Sequence, residues 1–298
     1  MLEVRHLSHS YGDRQVLDDV SFTVAPGHLT GFVGANGAGK TTTMRAILGL
    51  LHPSAGEVLV DGRPITKADR ARIGYMPEER GLYQKMKVHE QIVYFARLHG
   101  VDRGVAATRA DELLEIVGLA ERRDDNIEAL SLGNQQRAQV CVALVHDPTM
   151  LILDEPFSGL DPIAVDAVLT VLQDRARAGV PVLFSSHQLD VVERLSDDLV
   201  IISDGRIVAK GAREQLLGEH SKGLYRFGVA SPGALVAHPD VELVATDGRG
   251  AVVRILAADE DAAARRAQEL LRAELERGDV AQFARELVPL SQVFKEVR

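Results

Sequence analysis

Apolar residues in this chain repeat with two different periods, and the switching between them predicts most of its elements. Short runs at residues 2–8, 20–24, 28–33 and 56–60 read as strands, with a turn at Tyr11-Gly12-Asp13 between the first two, which makes an amino-terminal antiparallel sheet. After residue 33, Met44, Ile47, Leu48 and Leu51 fall at i, i+3, i+4 and i+7, the spacing of one buried helical face. Residues 65–72 carry mixed helical signals. From 88 to 146 the period stays near 3.6, through Ile92, Phe95 and Ala96 and then Leu113, Leu114 and Val117, and predicts a helical insertion. Met150-Leu151-Ile152-Leu153 is continuously apolar, as a strand buried on both faces of a parallel sheet must be. Asp161 and Pro162 suit the cap and first turn of a helix whose stripe is Ala164, Val168, Val171 and Leu172 and which stops at Gly179. Further strands are predicted at 182–184 and 199–202. The alternation implies an α/β core that binds ligands at the carboxyl edge of its sheet.

The character changes near Gly218. Beyond it, strands at 224–229, 241–245 and 251–256 and a charged helix at 260–277 predict a small α+β domain, so the expected organisation is 1–217 followed by 218–298. With 298 residues, 46% hydrophobic and 26% charged, the chain has an ordinary globular composition and enough length for two cores. A net charge of -9 argues against broad nucleic-acid binding, which needs a cationic footprint. The single cysteine, Cys141, reads as a small core residue. With no signal-like amino terminus and no apolar run of the roughly 20 residues that span a bilayer, a cytoplasmic location is expected, and any membrane role needs a partner.

Chemistry concentrates at two strand ends. Gly34-Ala35-Asn36-Gly37-Ala38-Gly39-Lys40-Thr41-Thr42 follows the strand at 28–33 and opens a helix. Glycines 34, 37 and 39 are expected to permit positive φ and close approach, so that backbone N–H groups surround phosphate oxygens at the positive end of the helix. Lys40 would reach the β- and γ-phosphates, and the Thr41 hydroxyl would ligate Mg²⁺. Asp154 and Glu155, directly after the run at 150–153, place two carboxylates at the end of a core strand. Asp154 is expected to hold Mg²⁺, and Glu155 to take a proton from the attacking water.

Between these lies Leu130-Ser131-Leu132-Gly133-Asn134-Gln135-Gln136-Arg137, which resembles the signature sequence of ATP-binding-cassette ATPases and stands in the order that family requires. Ser158-Gly159-Leu160-Asp161 is similar to its D-loop, His187 to its switch histidine and Tyr11 to its adenine-stacking aromatic, so the resemblance covers residues 1 to about 217. It implies ATP as substrate and a dimer, of two copies or of close paralogues, in which Ser131, Gly133 and Asn134 of one subunit meet nucleotide held by Lys40 of the other, with Asp161 ordering the junction. Glu78 stands where the family usually has a glutamine, and is expected to meet Mg²⁺ and the attacking water. Leu132 and Asn134 replace the usual glycine and glutamine. These variants, with Pro77-Glu78-Glu79-Arg80-Gly81-Leu82-Tyr83, look similar to ATPases of sodium-export and drug-export systems. The family reading is an ATPase subunit that energises a separate membrane permease, with the loop at 79–89 transmitting the stroke. The rival is a soluble cassette protein acting on ribosomes or DNA, or a regulatory nucleotide binder. Residues 289–294 resemble the tail of export-type relatives.

Overall fold

The computed structural model describes residues 1–79, 81–248, 250–278 and 280–296; Arg80 of the export-like segment therefore lies outside the described residues. The chain divides into two compact units, residues 1–213 and 214–296.

The first unit begins with the hairpin β1 (Leu2–Tyr11) and β2 (Arg14–Val24), to which β4 (Ala55–Val60) and the short β5 (Arg63–Pro64) add in the order β2-β1-β4-β5. All three pairings are antiparallel. The hairpin is longer than its hydrophobic pattern predicts, because register shifts break the alternation between Val4 and Ser10 and hide the strand character of both arms. Sandwiched between this sheet and the core sheet are Leu2, Leu7, Leu17, Phe22, Phe32, Met44 and Ile47, all buried in one cluster.

The core sheet runs β10-β9-β3-β8-β7-β6. It comprises β3 (Leu29–Val33), β6 (Ile73–Met76), β7 (Met150–Asp154), β8 (Val182–Ser186), β9 (Asp198–Ser203) and β10 (Arg206–Ala212). The five strands from β9 to β6 are parallel, and β10 is an antiparallel edge. As expected for a doubly covered strand, every residue of β3, β7 and β8 is buried. β10 escaped prediction because its residues alternate between half-buried and exposed and include Gly211.

Helix α1 (Lys40–Ile47) follows β3. It is shorter than predicted: Leu48 caps it and Leu51 packs against the core from the following turn. The mixed signals at 65–72 resolve into one turn, α2 (Lys67–Arg70), closed by a Thr66/Asp69 capping box, and then β6. The helical insertion holds α3 (Val88–Leu98), α4 (Arg103–Ile116), two 3₁₀ turns at Ala120–Arg122 and Ile127–Ala129, and α5 (Leu132–Leu144). α6 (Pro162–Arg177) buries its predicted stripe, and α7 (Leu189–Leu195) follows β8.

The second unit starts within α8 (Arg213–His220), a few residues ahead of position 218. It contains β11 (Leu224–Phe227), α9 (Gly233–Val236), β12 (Val241–Asp247), β13 (Gly250–Ile255), α10 (Glu260–Arg277), β14 (Phe283–Arg285) and α11 (Leu290–Glu296). Its sheet order β12-β13-β11-β14, antiparallel throughout, gives a βαββαβ unit of ferredoxin-like topology. Tyr225, Phe227, Leu235, Val253, Ala267 and Leu270 form its core. Among the described residues no helix is long and apolar enough to cross a membrane.

Candidate active site

Four neighbouring parallel strands, β3, β8, β7 and β6, end on the same edge of the sheet, and each releases one part of the site there. β3 leads into the glycine loop, β7 into Asp154 and Glu155, β8 into Ser185, Ser186 and His187, and β6 into Glu78. Lying against this edge, a cavity of about 510 Å³ is lined by Tyr11, Asn36, Gly37, Gly39, Lys40, Thr41, Thr42, Glu78, Asp154 and Glu155 together with Arg14 and Val16.

The glycine loop works by two different means. Gly37 and Gly39 have φ of 80° and 112°, where an L side chain is strained. Gly34 does not take positive φ, contrary to the expectation; it is required because a Cβ there would lie 2.6 Å from the Ile202 carbonyl oxygen. Gly39 caps α1 without any side-chain hydrogen bond, so the first-turn N–H groups are free for an anion. Lys40 Nζ donates to the carbonyls of Gly34 (2.6 Å) and Ala35 (3.2 Å), bracing the loop across its mouth. Burial pushes the Lys40 pKa below its ordinary value, and the negative charges of Glu155, Asp154 and Glu78 oppose that shift.

The two carboxylates are held differently. Asp154 Oδ2 accepts from the Thr41 hydroxyl at 2.8 Å, and its Oδ1 accepts from the Ser185 hydroxyl. Glu155 follows at φ 55°, a left-handed conformation uncommon for a residue with a side chain. Its N–H donates to Ser185 Oγ at 2.9 Å, and its carbonyl accepts from Gln136 Nε2 at 2.8 Å. The side chain of His187 is half exposed and sets Nδ1 2.9 Å from Glu155 Oε1.

No group of three His, Cys, Asp or Glu side chains among the described residues could hold a metal ion by itself. The donor set that does face the cavity, Thr41 Oγ1, Asp154 and Glu78, is all oxygen, which suits Mg²⁺ shared with phosphate oxygens rather than a protein-only cage.

Several expected residues do not line the cavity itself. Gly34, Ala35 and Ala38 form the loop without lining the cavity, and neither do Ser131, Gly133, Asn134, Asp161 or His187. Ser131 caps α5, accepting from the Asn134 N–H at 3.3 Å, and the adjoining Leu132 is 63% exposed, so this helix end faces outward. Asn134 is engaged with Arg137 through its Oδ1. Asp161 caps α6 at 2.8 Å. Cys141 is fully buried, and burial pushes its thiol up to about 12, as an inert core residue requires.

Sequence reasoning missed Arg14 and Val16. The two-residue turn at Gly12-Asp13 puts Arg14 directly across from Tyr11, but the second strand was expected to begin only at residue 20. Nothing in the sequence marks Ser185, or Gln136 within the run at 130–137, as a partner of Glu155.

Residues 17–158 match the family model described as ABC transporter. The ABC transporter ATP-binding protein YhaQ of Bacillus subtilis, itself uncharacterized, is 42% identical over 72% of this chain and 72% of its own. This chain is an ABC transporter ATP-binding protein. A Nod factor export ATP-binding protein I from Paraburkholderia xenovorans is 37% identical, covering 72% of both chains. Among solved structures, the ATP-binding subunit of an ABC transporter superposes with a TM-score of 0.68 at 33% identity, over 74% of this chain and 93% of that one. This ABC protein is accordingly an ATPase.

Proposed function

We propose that this ABC ATPase works as one half of a pair of cassettes, each closing on ATP held by the other, and powers export through a separate membrane permease. The observation that carries the reading is the convergence of Tyr11, Lys40, Thr41, Glu78, Asp154 and Glu155 on one cavity, while Ser131 and its helix end face outward. Tyr11, 50% exposed at the cavity edge, supplies a face for the adenine. Lys40 leaves the loop carbonyls for the β- and γ-phosphates, and the N–H groups of Gly37 and of residues 39–42 surround the phosphate oxygens. Mg²⁺, held by Thr41, Asp154 and Glu78, would neutralise charge on the same oxygens. Glu155 accepts a proton from water as its oxygen attacks the γ-phosphorus and the bond to ADP breaks; His187 keeps the carboxylate oriented.

Ser131, the Gly133 N–H and Asn134 form a helix end suited to an anion, and nucleotide in a second cassette provides one. Asp161, at the start of α6, would order that junction. Hydrolysis removes the γ-phosphate that both subunits share and loosens the pair, giving a reversible stroke. Beside the loop after β6 lies an apolar groove of about 390 Å³ lined by Leu48, Tyr75, Pro77, Leu82 and Phe95, the surface we assign to a short helix of the permease. The protein then sits on the cytoplasmic face of the membrane through that partner. Export is supported by the likeness to the Nod factor export protein. Residues 1–217 carry these activities, and 218–298 form an accessory domain.

Replacing Glu155 with Gln tests the whole reading. Turnover is expected to fall roughly 10²- to 10⁴-fold, the scale of a lost general base, with ATP affinity retained and an ATP-dependent dimer trapped on a sizing column. Unchanged turnover, or a strictly monomeric protein in saturating Mg-ATP beside its permease, refutes it. Co-purification of a polytopic membrane protein supports the transport role, and ribosomal proteins in its place oppose it.

A further inference from the structure

We infer that Gln136 is a positioning residue for hydrolysis, fixing the backbone of Glu155 from the signature helix of the same chain. The inference rests on Glu155 being the base. Glu155 is 6% exposed and sits at φ 55°, a conformation its neighbours must impose, since nothing intrinsic to a glutamate favours it. Three bonds impose it. Ser185 Oγ accepts the N–H at 2.9 Å, and the carbonyl accepts from Ser158 N at 3.2 Å and from Gln136 Nε2 at 2.8 Å.

The Ser158 bond is local, closing the turn that Glu155 begins, and it moves with that turn. The Gln136 bond comes from a different element. Its donor is 3% exposed and lies on α5, one and a half helical turns from the Ser131 cap. α5 is itself fixed against the insertion and the Glu78 loop: Gln135 Nε2 donates to the carbonyls of Ile127 and Leu130, and Gln139 Nε2 to that of Pro77 at 2.8 Å. A Cβ on Gly133 would lie 3.2 Å from the Gly159 carbonyl, so the start of the same helix also packs on the turn after Glu155. Gln136 is thus the direct bond between a rigid helix and the peptide whose tilt aims the Glu155 carboxylate. With that bond gone, the peptide is free to rock about the Ser158 contact, and the Oε atoms swing on the end of the side chain. Misplacement of a reacting group by about 1 Å is enough to cost up to 100-fold in rate.

The test uses the full chain. Gln136→Leu keeps the bulk and removes the donor; because Ser158 still satisfies the carbonyl, folding is expected to survive. We expect kcat to fall about tenfold, with KM and the affinity for a fluorescent ATP analogue changed less than twofold. Gln136→Glu, nearly isosteric, carries the test if Gln136→Leu precipitates. An ionised carboxylate cannot donate to a carbonyl, whereas its protonated form can, so its rate relative to wild type should rise as pH falls from 8 to 6. In a Glu155→Gln background, Gln136→Leu should add no further loss. Gln136→Leu turnover within twofold of wild type, or an equal tenfold loss when Glu155 is already Gln, overturns the inference. A slow Glu155→Gln protein beside a fast Gln136→Leu protein removes this inference alone; a Glu155→Gln protein with normal turnover removes the base and this inference together.

Discussion

Ser185→Ala should destabilise the ATPase unit well beyond an ordinary serine substitution. The hydroxyl is completely buried and has two duties: it accepts the Glu155 N–H at 2.9 Å and donates to Asp154 Oδ1. Removing it leaves a buried N–H without a partner, at about 1–3 kcal/mol, and takes a charge-assisted donor from a buried carboxylate, at about 1.5–3 kcal/mol. Asp154 keeps its bond from Thr41, so the two costs overlap and a net loss of about 2–4 kcal/mol is expected. For a unit of this size that corresponds to a fall in its Tm of roughly 5–12 °C. Differential scanning calorimetry without nucleotide reads this directly, provided the transition of the ATPase unit is resolved from that of the second unit. Thr170→Ala is the control, since its exposed hydroxyl bonds only the Asp166 carbonyl and its loss should stay within about 0.5 kcal/mol. A Tm change for Ser185→Ala no larger than the control refutes the claim that Ser185 anchors the Asp154 carboxylate and the Glu155 backbone.

Three further outcomes are expected. Tyr11→Ala should weaken ATP binding about 10- to 100-fold, matching about 1–3 kcal/mol for base stacking, and equal affinities in a titration contradict the stacking role. Cys141, with its thiol pushed up to about 12, should resist alkylation at pH 8 until the protein is unfolded, and rapid labelling of the native chain would refute its burial. The His146 ring stacks on His99 with centroids 3.8 Å apart, and burial, reinforced by His99, lowers its pKa to about 4. The unfolded chain takes up this proton near its ordinary value of about 6.5 while the folded one does so only near 4, so stability falls as pH drops through that window. Solvent screening reduces the effect to on the order of 1 kcal/mol. His146→Phe should flatten that part of the stability–pH curve, and an unchanged curve argues against it.

The sequence by itself determined the family and the order of its motifs along the chain. A glycine loop between strand and helix, a continuously apolar strand ending in Asp154-Glu155, and the run beginning at Leu130-Ser131 are local patterns whose physical demands are met within a few residues of each other. The helix at Glu260–Arg277 was legible for the same reason, with a capping aspartate and an uninterrupted period. The tertiary structure alone decided what depends on distant partners. Arg14 enters the cavity because the turn at Gly12-Asp13 pairs it with Tyr11 and the hairpin end packs beside the glycine loop, and β10 exists because β9 offers it an edge. Ser185 and Gln136 acquired their roles because strand and helix, 30 and 19 residues away in the chain, converge on the Glu155 peptide. A hydrogen-bond donor carries no mark in sequence of which buried group it will satisfy; that is fixed only when packing excludes water and leaves one partner within reach.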